Sequence, residues 1–358
     1  MSDFAKLIVC ISSTALFDCG ESHRICKEEG VNAYKKYTHS HVTDPLKPGV
    51  GFRLVQSLLN LNHSAGRNLV DVILVSRNDN EAGKRVRNSI NYYKLDISRM
   101  SFTNGTDVTR YLQAWECDLF LSTEENQVRA VLSANATLTN RKIAAGLVCN
   151  IFAEAIHAPN DVSLSTIVKA DDIPNNPITI NTTDWPKDQV RIAFDGDGVL
   201  FSDEAERIYQ SDGLDAFRKH EYEKLDIALS EGPMHAFAFK LQKLRNALAP
   251  EDQWRVRTYL VTARNGVGNE RALRTLEQWG LEIDETHFLG GLDKTPFLIA
   301  IDPAIFFDDS SEHIERAKQY VPAAHIVYGV RNIIRDDTTT TSTTTTVLVP
   351  DNDTNFGK

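Results

Sequence analysis

Asp195 and Asp197 stand one residue apart in the run Arg191 to Leu200, RIAFDGDGVL, directly after Ile192, Ala193 and Phe194, which read as a short buried strand. Gly196 and Gly198 allow the backbone to turn sharply at that point, so the strand end would expose both carboxylates together. Such a pair can hold Mg²⁺ and a phosphate. One carboxylate can attack phosphorus while the other handles a proton, provided their surroundings differ. Asp-x-Asp alone is common in loops, so the assignment depends on what the rest of the chain supplies.

Three further apolar runs end in residues that such a site needs. Arg257 to Val261 reads as a β-branched and aromatic strand, followed by Thr262, Ala263, Arg264 and Asn265, which offer a hydroxyl, backbone amides and a cation to an anion. Lys294 follows Gly290 and Gly291 and precedes Pro296 at a helix start, where it would be a fixed positive charge across the same pocket. Ala304 to Phe307 ends in Asp308 and Asp309, hard oxygen ligands of the kind Mg²⁺ takes.

The order Asp-x-Asp, Thr, Lys, Asp-Asp, each at or after a strand end, resembles the four motifs of the haloacid dehalogenase superfamily of phosphohydrolases. Within it, FDGDGVLFSDEAERIY, YLVTARN, WGLEIDETHFLGGLDKTPFL, IFFDDS and the upstream ISSTALFD resemble the cytosolic 5′-nucleotidase type I family, over most of residues 5 to 330. Gly198 departs from the Ala expected there, a change expected to loosen the turn without touching chemistry. The resemblance implies a Mg²⁺-dependent nucleoside 5′-monophosphate phosphohydrolase, cytoplasmic and homo-oligomeric.

Composition is consistent with that reading. The 358 residues, 42% of them hydrophobic, suffice for two domains with cores. A formal charge of −10 argues against a protein that coats a nucleic acid polymer, while leaving nucleotide monomers open. Five cysteines with no Cys-x-x-Cys pair fit reduced thiols in a cytosolic protein. Leu7 to Ser12 is too short for a signal core, and no apolar run reaches a membrane-spanning length, so no membrane partner is expected.

The two halves of the chain read as diverged copies of one unit. Ile11 to Tyr34 parallels Phe194 to Phe217, Leu74 to Asn78 echoes Val261 to Asn265 with one gap, Gly105 to Leu112 matches Gly291 to Leu298, and Phe120 to Thr123 matches Phe306 to Asp309. At the chemical positions the copies differ: Ser12 and Thr14 replace the Asp-x-Asp pair, Val108 replaces Lys294, and Ser122 and Thr123 replace Asp308 and Asp309. The expected fold is therefore an α/β, doubly wound parallel-sheet haloacid dehalogenase-like domain with a small helical cap, preceded by a degenerate α/β copy. The expected boundaries are 1–170 for the copy, 171–189 for a linker rich in Pro, Asn, Asp and Thr, 190–335 for the catalytic domain with its cap at 202–250, and 336–358 for a threonine-rich tail.

These residues predict roles. Asp195 is the nucleophile, Asp197 the general acid and base, and Thr262 and Lys294 neutralise phosphate oxygens. Gly196, Ala263, Arg264 and Asn265 bind phosphate, and Phe201, Phe217, His220 and Tyr222 are candidates for the nucleoside. Mg²⁺ is held by Asp195, the backbone carbonyl of Asp197 and Asp308, with Asp309 supporting Lys294 or the metal's waters. The first half is left a nucleotide effector site through Arg77 and Asn78. A nucleoside phosphotransferase, a sugar-phosphate phosphatase and a non-enzymatic nucleotide-binding regulatory module are the alternatives.

Overall fold

A computed structural model describes residues 6–135, 142–149 and 189–332. The linker expected at 171–189, apart from Gln189, and the threonine-rich tail lie outside the described residues. Twelve strands are described: β1 Leu7–Ser12, β2 Phe17–Asp18, β3 Lys47–Pro48, β4 Val70–Ser76, β5 Arg99–Phe102, β6 Leu119–Ser122, β7 Ala144–Val148, β8 Val190–Phe194, β9 Val256–Thr262, β10 Glu285–Phe288, β11 Ile305–Asp308 and β12 Ala323–His325. Ten of them form one sheet in the order β10-β9-β8-β11-β12-β7-β6-β1-β4-β5, and β2 with β3 makes a small antiparallel pair.

Near-continuous apolar runs dictate where these strands go. LIVCIS in β1 and VRIAF in β8 are buried at every position, as strands covered on both faces must be. Helices supply the cover. The helix Phe52–Ala65 turns Leu54, Val55, Leu58 and Leu61 inward and stops at Gly66, whose left-handed backbone at φ 60° closes the last turn. The helix Asn80–Tyr92 starts where the Asp79 carboxylate accepts the Ala82 amide at 2.8 Å.

All pairings in the large sheet are parallel except that of β7 with β12, where Ala324 faces Val148 and His325 faces Leu147. That contact joins two five-stranded halves of the same internal order. β5-β4-β1-β6-β7 corresponds to β10-β9-β8-β11-β12, and the carboxyl ends of the two sets of strands point in opposite directions. One apolar core runs through both halves, from Leu7 and Val9 to Val190 and Ile192, and a smaller one around Ala193, Leu298 and Phe306 lies on the other face of the second half. Gly146 sits on the seam because an added Cβ would lie 3.1 Å from that of Ala324 and 3.2 Å from the Phe307 ring.

Within the stretch expected to form the cap, two helices take different places. His235–Ala247 packs on the sheet, with the Phe237 ring 6.3 Å from Phe194 and 6.2 Å from Phe307. Only Glu204–Glu223 and the residues after it remain for a cover over the strand ends, and that helix is broken at Gly213, where φ is 81°.

Candidate active site

In each half the chain reverses its winding direction between the first and fourth strands, the crevice where open α/β sheets bind ligands. In the second half these strands are β8 and β11, and they deliver Asp195 and Asp308 side by side: the Asp195 amide donates to the Phe307 carbonyl at 2.8 Å. Lys294, at the start of the helix Thr295–Ile301, places its Nζ 2.7 Å from Asp195 Oδ1 and 2.7 Å from Asp308 Oδ2. Asp195 Oδ1 also accepts the Gly196 amide at 2.7 Å, so Oδ2 is the oxygen left to face a substrate. Asp308 Oδ1 accepts the Ser310 amide at 2.8 Å, and His313 Nδ1 lies 3.1 Å from Asp308 Oδ2.

The electrostatics follow from burial and charge. Asp195, Lys294, Asp308 and Asp309 are all buried. Burial pushes Asp195 up to about 6 against the pull of Lys294, with the Asp308 charge adding to the rise. Asp308 is also raised by burial, but Lys294 and His313 outweigh that and hold it at about 2. Asp309 is driven to about 9 by burial and by the charges of Asp195 and Asp308. Lys294 stays protonated above its ordinary range because the two aspartates overcome its burial.

Three carboxyl groups crowd one ammonium, and the tightened hold of Asp195 and Asp309 on their protons reports a crowding that a cation would relieve. Ligand atoms of Asp195, Asp308 and His313 lie within 4.8 Å of one another, an acidic cluster able to hold a metal ion. Two carboxylate oxygens suit a hard divalent ion, and His313, already bonded to Asp308, can either join as a nitrogen ligand or fix the carboxylate that does.

The structure departs from several sequence expectations. Thr262 is buried against the first turn, where a Cβ on Gly196 would come within 3.0 Å of its Oγ1. Ala263 and Asn265 are exposed at the rim. Arg264 is not open to an anion. Its Nε and Nη2 grip Asp197 at 2.8 and 2.6 Å, and its Nη1 binds Glu221 at 2.6 Å and the Gly268 carbonyl at 2.9 Å. The same grip takes the Asp197 carboxylate away from the metal cluster, so only its main-chain carbonyl is left for that role.

Phe201 is fully buried beside Trp279, with the Arg264 guanidinium 5.5 Å above its ring, and offers no face to a nucleoside. His220 Nε2 lies 3.1 Å from Glu204 Oε1 on the same helix, Glu204–Glu223. Phe217 packs edge-on to Tyr209 at 6.5 Å, and Tyr222 is solvent-exposed. Asp309 faces Gly198 and Arg331, not Lys294: a Cβ on Gly198 would lie 2.5 Å from Asp309 Oδ2, and Arg331 Nε is 4.0 Å away. Gly198 is thus no loosened turn. Its φ of 74° and the pressing carboxylate both call for glycine.

Sequence reasoning missed His313, Glu221 and Arg271. His313 lies five residues beyond Asp308 in the first turn of the helix Ser311–Ala317, a spacing that could have drawn attention to it. Glu221 and Arg271 meet at 2.7 Å across separate helices and carry no local signal.

A family model described as 5′-nucleotidase matches residues 1–165 and 165–333. The chain belongs to the 5′-nucleotidase family. Human cytosolic 5′-nucleotidase 1B is 32% identical to this family member over 326 residues, which are 87% of this chain and 47% of the human protein. The chain thus spans about half the length of that relative. A solved structure from Listeria monocytogenes, described as a UDP-N-acetylglucosamine 2-epimerase, covers 89% of the chain and is itself 78% covered, at 10% identity and a TM-score of 0.22, too low to inform the fold.

Proposed function

We propose that this chain is a phosphoric monoester hydrolase that splits nucleoside 5′-monophosphates, AMP or deoxynucleotides, into nucleoside and phosphate. The observation that carries the reading is Lys294 bridging Asp195 and Asp308 at 2.7 Å each at the strand-order switch, with Asp197 one residue beyond the first carboxylate. Asp195 Oδ2 attacks phosphorus; the bond to the ribose 5′-oxygen breaks as Asp197 gives that oxygen a proton. Asp197 then takes a proton from water, whose oxygen displaces the Asp195 carboxylate from phosphorus. Lys294 and the Thr262 hydroxyl offset phosphate charge. Mg²⁺ at Asp195, Asp308 and the Asp197 carbonyl would supply further charge neutralisation of the phosphate oxygens.

The shared strand order supports reading the second half as the haloacid dehalogenase-like catalytic domain, 190–335, and the first, 1–170, as its degenerate copy. At matching strand ends the first half has Ser12, Thr14 and Thr123, with Thr14 Oγ1 3.1 Å from Ser12 Oγ and 2.6 Å from Thr123 Oγ1. A cavity of about 220 Å³ there, lined by Ser12, Thr14, Ser76, Arg77 and Asn78, suits the uncatalysed binding of a nucleotide effector. A cytoplasmic location fits the human relative's description as cytosolic, and among the described residues no helix is long and apolar enough to cross a membrane.

The test is phosphate release from a panel of nucleoside monophosphates and sugar phosphates, with and without Mg²⁺. Release confined to the nucleotides and abolished by chelation is the expected result. Transfer to an added nucleoside in place of water would identify a phosphotransferase, and equal turnover of sugar phosphates would overturn the substrate assignment.

A further inference from the structure

Proton transfer by Asp197 is geometrically constrained in this site. Both of its carboxylate oxygens accept hydrogen bonds from Arg264, at 2.8 and 2.6 Å, so a proton it gives or takes must use a remaining lone pair, whose direction the guanidinium sets. What fixes Arg264 therefore fixes Asp197. Its remaining nitrogen, Nη1, is held by Glu221 at 2.6 Å and by the Gly268 carbonyl at 2.9 Å.

Glu221 is fully buried, at 0% exposure, on the helix Glu204–Glu223. Its other oxygen accepts from Arg271 Nη1 at 2.7 Å, and Arg271, 1% exposed, anchors in turn to the Ile227 carbonyl at 3.0 Å. The carboxylate thus stands between two buried guanidiniums, one reaching the first-motif turn and one rooted in the helix Val267–Trp279. Such a buried network keeps its geometry because withdrawing any member leaves a charge unpaired away from water.

We propose that Glu221 is a positioning residue for the proton-transfer step, acting through Arg264 to set where the Asp197 carboxylate stands. It touches neither the phosphate site nor the Asp195, Lys294 and Asp308 cluster. By pulling on Nη1, it limits how closely Arg264 closes on Asp197, and it ties that distance to the seating of the cap helix. The inference rests on the hydrolase reading, since it needs Asp197 to act as acid and base.

The experiment is a double-mutant cycle on nucleotide hydrolysis. Glu221→Gln removes the charge, and Glu221→Asp, which keeps the charge but shortens the reach, is carried beside it in case two under-compensated arginines prevent folding. Both are checked for native circular dichroism. The expected result is a kcat lower by roughly tenfold to a hundredfold, the scale of a displaced catalytic group, with KM within about threefold of wild type. In an Asp197→Asn background, neither substitution should slow the residual rate further, because the group they position is already gone. The same fractional loss in both backgrounds, or a raised KM with unchanged kcat, overturns the proposal and leaves the reaction class standing. Near-normal hydrolysis by Asp197→Asn alone overturns the general-acid reading itself, and this one with it.

Discussion

Asp195, Asp308 and Asp309 share one buried corner yet differ widely in their hold on a proton, because Lys294 and His313 outweigh burial at Asp308, whereas at Asp309 burial and the charges of Asp195 and Asp308 outweigh Arg331 and Lys294. Asp309 and Asp195 keep protons in the folded state up to about 9 and about 6, whereas an ordinary carboxyl releases them near 3.8. The folded form binds more protons in that window, so metal-free protein loses stability as pH rises through it, by up to ~1.4 kcal/mol per pH unit for each such proton. Asp308 works the other way: its contribution is present above 3.8 and is lost as pH falls toward about 2. Thermal melts in chelator should therefore give a higher Tm at about pH 6 than at about pH 8.5, and added Mg²⁺ should raise the Tm more at the higher pH. A flat metal-free profile would show that the carboxylates are not crowded as described. Asp195→Asn should leave the fold intact and reduce turnover to below about a hundredth, since no amide can form the acyl phosphate; phosphate release on the purified variant checks this. His313→Ala should weaken metal affinity about tenfold or more while sparing the helix Ser311–Ala317, whose cap uses the His313 amide and not its ring, as titration calorimetry with Mg²⁺ can measure. Asp195, Thr262 and Asp308 could be placed at strand ends because apolar runs lead into them, and Lys294 at a helix start because Gly290, Gly291 and Pro296 flank it. Arg264 and His220 misled because a charged side chain beside a motif looks alike whether it meets a ligand or, as here, Asp197 and Glu204.

Among the elements, the turn after β8 is the most constrained. Gly198 at φ 74° lies against Asp309, so Gly198→Ala meets both backbone strain and a contact at 2.5 Å. The substitution is expected to destabilise the protein by ~1–3 kcal/mol and to lower kcat by displacing Asp309, checked by urea unfolding alongside kinetics. An unchanged midpoint would mean that the turn relaxes freely. Strands β8, β9 and β11 could be read from their apolar runs, but the cap could not be bounded that way. Phe237, Leu241 and Leu244 have the same helical spacing whether the helix covers the strand ends or, as found, the face of the sheet. Periodicity reports that a face is buried and is silent about what buries it.

Among the described residues the two halves share one ten-stranded sheet and one main core, which internal comparison of the halves did not reveal. Their corresponding segments were visible in sequence, but the contact that fuses them involves the short runs Ala144–Val148 and Ala323–His325, which carry no pairing signature. Arg53 strengthens the union from the surface by a two-pronged contact to Asp302 at 2.5 and 2.6 Å. A continuous core predicts a single unfolding transition. Gly146→Val, which crowds Ala324 and Phe307 at the seam, should lower stability by ~1–3 kcal/mol and shift the loss of activity and of total structure together, as calorimetry and residual-activity curves would show. Two separate transitions would mean that the halves are energetically independent. The reversed polarity at the seam also governs how the polypeptide travels. β7 finishes on the side of the sheet where β8 begins, three inter-strand spacings or ~14 Å away. The antiparallel seam is the pairing that two identical subunits would adopt about a two-fold axis. Within a single chain, the two halves of the sheet thus meet as the subunits of a dimer would.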